Sequence, residues 1–134
     1  MVIEEKLPEK FKTGAFHPSL FIYAWKRNVL DKLFEEFMAS NIAISGGEAW
    51  FIQEEKTFGV IPFKNGDKAV LNWQIKKGKE EEWYDFVERS IKESLEVITA
   101  KNLEKNTSPS VKNRIYYHFE LRAKNESVSP NFWK

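Results

Sequence analysis

Residues 42–53 read Ile42-Ala43-Ile44-Ser45-Gly46-Gly47-Glu48-Ala49-Trp50-Phe51-Ile52-Gln53, and how this stretch is parsed sets the fold. Residues 42–45 read as a short strand and residues 48–53 as a resumed one, rich in the β-branched and aromatic side chains that suit a pleated surface. Gly46-Gly47 interrupts them as a turn or a bulge, with a backbone geometry that needs a positive φ. The functional reading of the same dipeptide is that it displays Glu48 and Trp50 to a partner.

Upstream the period changes. Val29, Leu30, Leu33, Phe34, Phe37 and Met38 recur at steps of three and four, the mark of a helix with one buried face. Asp31, Lys32, Glu35 and Glu36 fall on its wet side. Asn41, which tolerates the left-handed conformation, ends this helix. Ser19 can cap an earlier start, which makes residues 20–26 a first turn or a separate short piece. Residues 1–19 hold Pro8, Gly14 and Pro18 and show no sustained period, so they read as an arm packed irregularly over the domain.

Downstream, residues 58–63 are a third strand candidate, with Pro62 confining its end to an edge. Asn65-Gly66 signals a turn. Ala69, Leu71, Trp73 and Ile75 then alternate onto one face. A second helix follows, with Trp83, Phe86, Val87, Ile91, Leu95 and Ile98 on one stripe. Ser90 and Ser94 lie on that stripe, where small side chains admit a close neighbour. Glu80, Glu81 and Glu82 stand at its start, where negative charge suits the helix dipole. Residues 103–113 read as a polar loop. Residues 114–122 form a last strand, with Ile115, Tyr117, Phe119 and Leu121 on one face and Tyr116, His118 and Glu120 on the other.

Helices flanking clustered strands predict an α+β fold: a small mixed or antiparallel sheet of about four to five strands with two main helices on one face. The 134 residues fit a single domain, 1–134, with its core at about 25–121, an N-terminal arm 1–24 and a C-terminal tail 122–134. Phe132-Trp133 at the end of the polar tail could dock on another chain.

Composition narrows the function. Lys and Arg number 21 and Asp and Glu 20, which leaves no cation excess for a phosphate footprint, so no nucleic-acid partner is expected. The cluster Lys76-Lys77-Gly78-Lys79 is cancelled at once by Glu80 to Glu82. No apolar run of about 18 residues occurs, so no membrane partner is expected. The N-terminus lacks the apolar core of a secretory signal, and with no Cys in the chain this predicts a cytoplasmic protein.

Catalytic signals are weak. Zero Cys removes a thiol nucleophile and thiolate metal sites. His17 and His118 lie in different elements without zinc-motif spacing. Neither a nucleophile elbow nor a phosphate loop is present. An acid–base enzyme would have to join Glu48 to His118 in a cleft. Neither catalysis, nor a metal, nor a cofactor is expected.

The ordered set Gly46-Gly47-Glu48 with Trp50, then Asn72-Trp73, then Trp83, Phe86, Val87 and Ser90, then the aromatic run 116–121, resembles the immunity protein 40 family of bacterial polymorphic toxin systems. The likeness covers roughly residues 25–121. In that family the motif is expected to carry Asp and Tyr where this chain has Glu48 and Trp50. The resemblance implies a small protein that binds one cognate toxin domain and blocks it. The implied partner-binding residues are Gly46, Gly47, Glu48, Trp50 and Trp73, with Glu48 facing a basic surface and the two Trp as anchors. The alternative is a small-molecule or peptide binding domain without catalysis, which calls for a deep apolar pocket lined by Trp50 and Trp73.

Overall fold

In the computed structural model, which describes residues 3–19 and 22–124, the stretch 42–53 is one 12-residue strand. The elements run α1 (Glu9–Thr13), β1 (Phe16–Ser19), β2 (Ile22–Trp25), α2 (Leu30–Ala39), β3 (Ile42–Gln53), β4 (Lys56–Phe58), β5 (Ile61–Pro62), β6 (Lys68–Ala69), β7 (Asn72–Gln74), α3 (Trp83–Lys101), α4 (Pro109–Lys112) and β8 (Ile115–Ala123). The register of β3 against β8 slips by one residue between Ile44 and Gly46, which makes Ser45 the extra residue of a bulge. Neither Gly46 nor Gly47 has a positive φ. The dipeptide is therefore part of a bulged strand, not a turn. Its lack of side chains serves close approach instead.

β3 organises a six-stranded sheet in the order β1-β2-β8-β3-β4, with β7 also on β3. Every pairing is antiparallel. One edge of β3 pairs with β8 from Ile42 to Phe51. The other edge is shared, with β7 on Gly46 to Glu48 and β4 on Phe51 to Gln53. Between them, β5 and β6 form a separate ribbon, and Pro62 stands at its end as expected of an edge. Gly66 takes a left-handed φ of 92° in the Asn65-Gly66 turn.

α2 and α3 both lie on one face of the sheet. Phe119 of β8 sits at the centre of that layer, with Phe34, Phe37, Trp25 and Trp73 within 6.3 Å by ring centroid. Burying such rings supplies most of the stability of a domain this size. Ile115, Tyr117, Phe119 and Leu121 are all buried, as their alternation predicts. The Tyr117 hydroxyl donates to Glu104 at 2.7 Å, and burial followed by that carboxylate pushes it above the usual phenol range.

Ser90 and Ser94 are fully buried and spent on structure. Beyond the end of β7, the Ile44 N–H on the edge of β3 donates to Ser90 Oγ at 3.0 Å. Trp83 Nε1 donates to the Asn41 carbonyl at 3.0 Å, and Asn41 is left-handed at the end of α2 as predicted. Ser94 Oγ accepts from Trp73 Nε1 at 3.0 Å. The helix thus satisfies polar groups that β3 and β7 would otherwise bury unpaired.

The N-terminal segment departs from the expected irregular arm. Residues 16–19 of that arm form a strand, and residues 22–25 are a separate short strand rather than a first helical turn, because β1 pairs with β2 and β2 with His118 and Tyr117 of β8. Tyr23 and Trp25 thereby enter the core, and Trp25 Nε1 donates to the Phe11 carbonyl of α1. Ile3, Leu7 and Phe11 are buried with them. At the far end β8 reaches Ala123, and Phe132-Trp133 lies outside the described residues.

Of the acidic run before α3, Glu82 caps without a side-chain bond. Glu81 instead grips Arg89 through two hydrogen bonds of 2.8 and 2.9 Å and accepts the Gly78 N–H at 3.0 Å. Arg89 also reaches Glu93 and the Lys76 carbonyl, so it ties the chain leaving β7 to α3. The Arg89 bond, then the Gly78 N–H, lower the Glu81 carboxyl from 4.5 to about 2.

Two outcomes follow. An alanine Cβ at Gly47 would lie 2.5 and 2.6 Å from the Trp73 ring and 3.0 Å from the His118 carbonyl. Gly47→Ala is expected to cost about 2–3 kcal/mol by urea denaturation, the range of an overpacked core. Gly59→Ala, with nothing within 4 Å, should cost far less. Because the Glu81 carboxyl is depressed on folding, its stabilisation is complete above pH 4.5 and fades as pH falls toward about 2. The stability gap between the parent and Glu81→Gln should close across that window, and a gap that stays constant would contradict the pairing.

Candidate binding face

The face of the sheet opposite α2 and α3 is built by the other half of each alternation. From β3 it receives Gly46, Glu48 and Trp50. These stand opposite Glu120, His118 and Tyr116 of β8. From β7 come Gln74 opposite Gly46 and Asn72 opposite Glu48. Glu48, Trp50, Tyr116 and His118 are half-buried, while Asn72, Gln74 and Glu120 are exposed.

The aromatic half of this face is ordered by ring contacts. Trp50 and His118, diagonal neighbours across the ladder, stack at 4.8 Å with planes 9° apart. Tyr116 packs against Phe16 at 5.6 Å. His118 Nδ1 lies 3.0 Å from the Tyr23 carbonyl. A carbonyl only accepts, so Nδ1 carries the proton and Nε2 of the neutral ring is an acceptor.

The polar half is a pocket of about 270 Å³ lined by Gly47, Glu48, Asn72, Trp73, Gln74, His118 and Glu120. Among the described residues, neither the Glu48 nor the Glu120 carboxylate makes a hydrogen bond or ion pair. A second, wider groove of about 630 Å³ runs between α2 and α3, lined in part by Phe34, Met38, Ile91 and Leu95.

The five site residues expected from sequence thus fall in one neighbourhood with two orientations. Gly46, Glu48 and Trp50 belong to the outer face. Gly47 and the Trp73 ring turn toward the helices, where the ring rests against Gly47, donates to Ser94 and meets Phe119 edge-on at 6.1 Å. Glu48 and His118 share a face, yet no hydrogen bond or ion pair joins them. Among the described residues no three His, Asp or Glu side chains converge on a metal position. No described helix is long and apolar enough to cross a membrane.

The partner-binding residues expected from sequence do not include His118, Glu120, Asn72 or Gln74. The alternation of residues 116–121 signals that His118 and Glu120 share a face. Only the pairing of β8 and β7 on either side of β3 brings them to Glu48.

A family model for immunity protein 40 matches residues 19–119, a span that holds β2, both long helices, the Gly46-Gly47 bulge region and the outer face through Phe119. Neither a curated protein nor a solved structure matches the chain. On the extent of the matched span, the chain belongs to the immunity protein 40 family.

Proposed function

We propose that the protein neutralises a cognate toxin domain of a polymorphic toxin system by binding it, without catalysis or cofactor, through the outer face of the sheet. The supporting observation is the combination of family membership with a half-buried aromatic stack beside unspent carboxylates. Rigid aromatic anchors supply binding energy in protein interfaces, and unpaired charge at their side gives steering and register. Glu48 and Trp50 are the contact residues. Gly46, Gly47 and Trp73 shape the surface that presents them. The cytoplasm is the compartment in which such a protein would protect its own cell.

On the outer face, the binding of a small molecule or free peptide in a pocket lined by Trp50 and Trp73 is less well served, since Trp50 does not line the pocket there. The pocket beside Trp73 is polar in its side chains, and its 270 Å³ falls below the roughly 300–1,000 Å³ usual for small-molecule sites. A socket of that size suits one side chain of a larger partner.

Co-expression with the toxin domain encoded beside its gene tests the reading. A stable complex and loss of toxicity are expected. Glu48→Lys, on a half-buried position of the outer face, should leave the fold intact by circular dichroism and weaken the complex by about 2 kcal/mol or more. Absence of a complex and of protection would overturn the immunity role.

A further inference from the structure

We infer that the pocket between β3, β7 and β8 is a receptor for one arginine side chain projecting from the toxin domain. The inference takes the partner from the proposed function, while the chemistry of the pocket stands on its own geometry.

The socket is bounded by polar side chains from three strands. Across the outer face, one ladder row is Gln74, Gly46 and Glu120, and the next is Asn72, Glu48 and His118. Gly46 itself is buried, with the Trp73 carbonyl 2.8 Å and Glu120 Oε2 3.1 Å from where its Cβ would lie, so the gap opens beside it, among Glu48, Asn72, Gln74, His118 and Glu120. The Glu120 side chain lines the gap from β8. Glu48 flanks the gap within its own strand.

The lining selects charge and then shape. Two carboxylates that make no hydrogen bond or ion pair among the described residues border the gap, and Arg122, two residues beyond Glu120 on the same face, pairs with neither. A cation is therefore the complementary occupant. Glu48 and Glu120 are diagonal across the ladder, about 7–8 Å apart at the backbone. A guanidinium, with five donors in a flat fork, bridges two such carboxylates and still has donors for the Asn72 and Gln74 side-chain carbonyls; an ammonium is a compact point charge that serves one acceptor well. The Trp50–His118 stack runs toward this gap along the rows, with planes 9° apart. A planar guanidinium laid against the His118 ring continues that stack, which an ammonium cannot do.

The full chain with its toxin domain is measured by calorimetry at low and high salt. Glu48→Gln together with Glu120→Gln should weaken the complex about 100-fold or more and flatten its salt dependence. One toxin arginine, replaced by lysine, should account for a comparable loss that the double variant no longer shows. If the variants bind as the parent does, the arginine receptor is overturned while the immunity reading stands. If no toxin binds the parent, the immunity reading fails and the pocket is tested alone, by NMR titration of the free chain with N-acetyl-arginine amide and N-acetyl-lysine amide. Saturable shifts at the Trp50 indole and His118 ring with the arginine compound, and weaker ones with lysine, support the receptor. Absent shifts, or equal shifts from both compounds, overturn it.

Discussion

The close approach of the Trp73 ring to the α-carbon of Gly47 is the constraint on which the other contacts depend. With any side chain at Gly47 the ring would have to move, and three joints would move with it. β7 pairs with β3 at Gly47 through the Trp73 backbone. The indole N–H holds Ser94 in the middle of α3. The ring edge meets Phe119, around which α2 and β2 also close. One absent methyl thus sets the distance between sheet and helix, because packed interiors tolerate little change in volume.

The same stretch serves two faces. Alternation turns Gly47 toward the helices and Gly46 toward the outer face, where its bareness admits the Trp73 carbonyl and the Glu120 carboxylate instead of a ring. The Ser45 bulge shifts the register of β3 between Ile44 and Gly46. Without that extra residue Glu48 and Trp50 would be aligned one position away and would exchange faces with Gly47 and Ala49. The bulge is therefore what points an acid and a large aromatic ring outward beside His118.

Much of the fold was legible from periodicity. The stripes of α2 and α3, the alternation of residues 69–75 and of β8, and Asn41 as a helix end all follow from spacing against a buried face. Local rules failed where pairing partners are distant. Residues 22–25, which in sequence read as a first helical turn or a separate short piece, form a strand because β8, more than 90 residues later, offers an edge, as the His118 bond to Tyr23 shows. The hairpin between β3 and β4 turns on Glu54 and Glu55, both with positive φ, where Asn or Gly is the usual signal. The site was half legible for the same reason. Gly46, Glu48 and Trp50 adjoin in sequence, whereas His118, Glu120, Asn72 and Gln74 join them only through the ladder.

Hydroxyl-radical footprinting of the chain, free and bound to its toxin domain, tests the central claim most directly, because it reads side chains and so separates the two faces of one strand. Loss of oxidation at Trp50, Tyr116 and His118, with Met38 and Leu95 in the groove between α2 and α3 unchanged, is the result expected of binding through the outer face. Protection confined to Met38 and Leu95, with the Trp50–His118 stack as reactive as in the free chain, would contradict it.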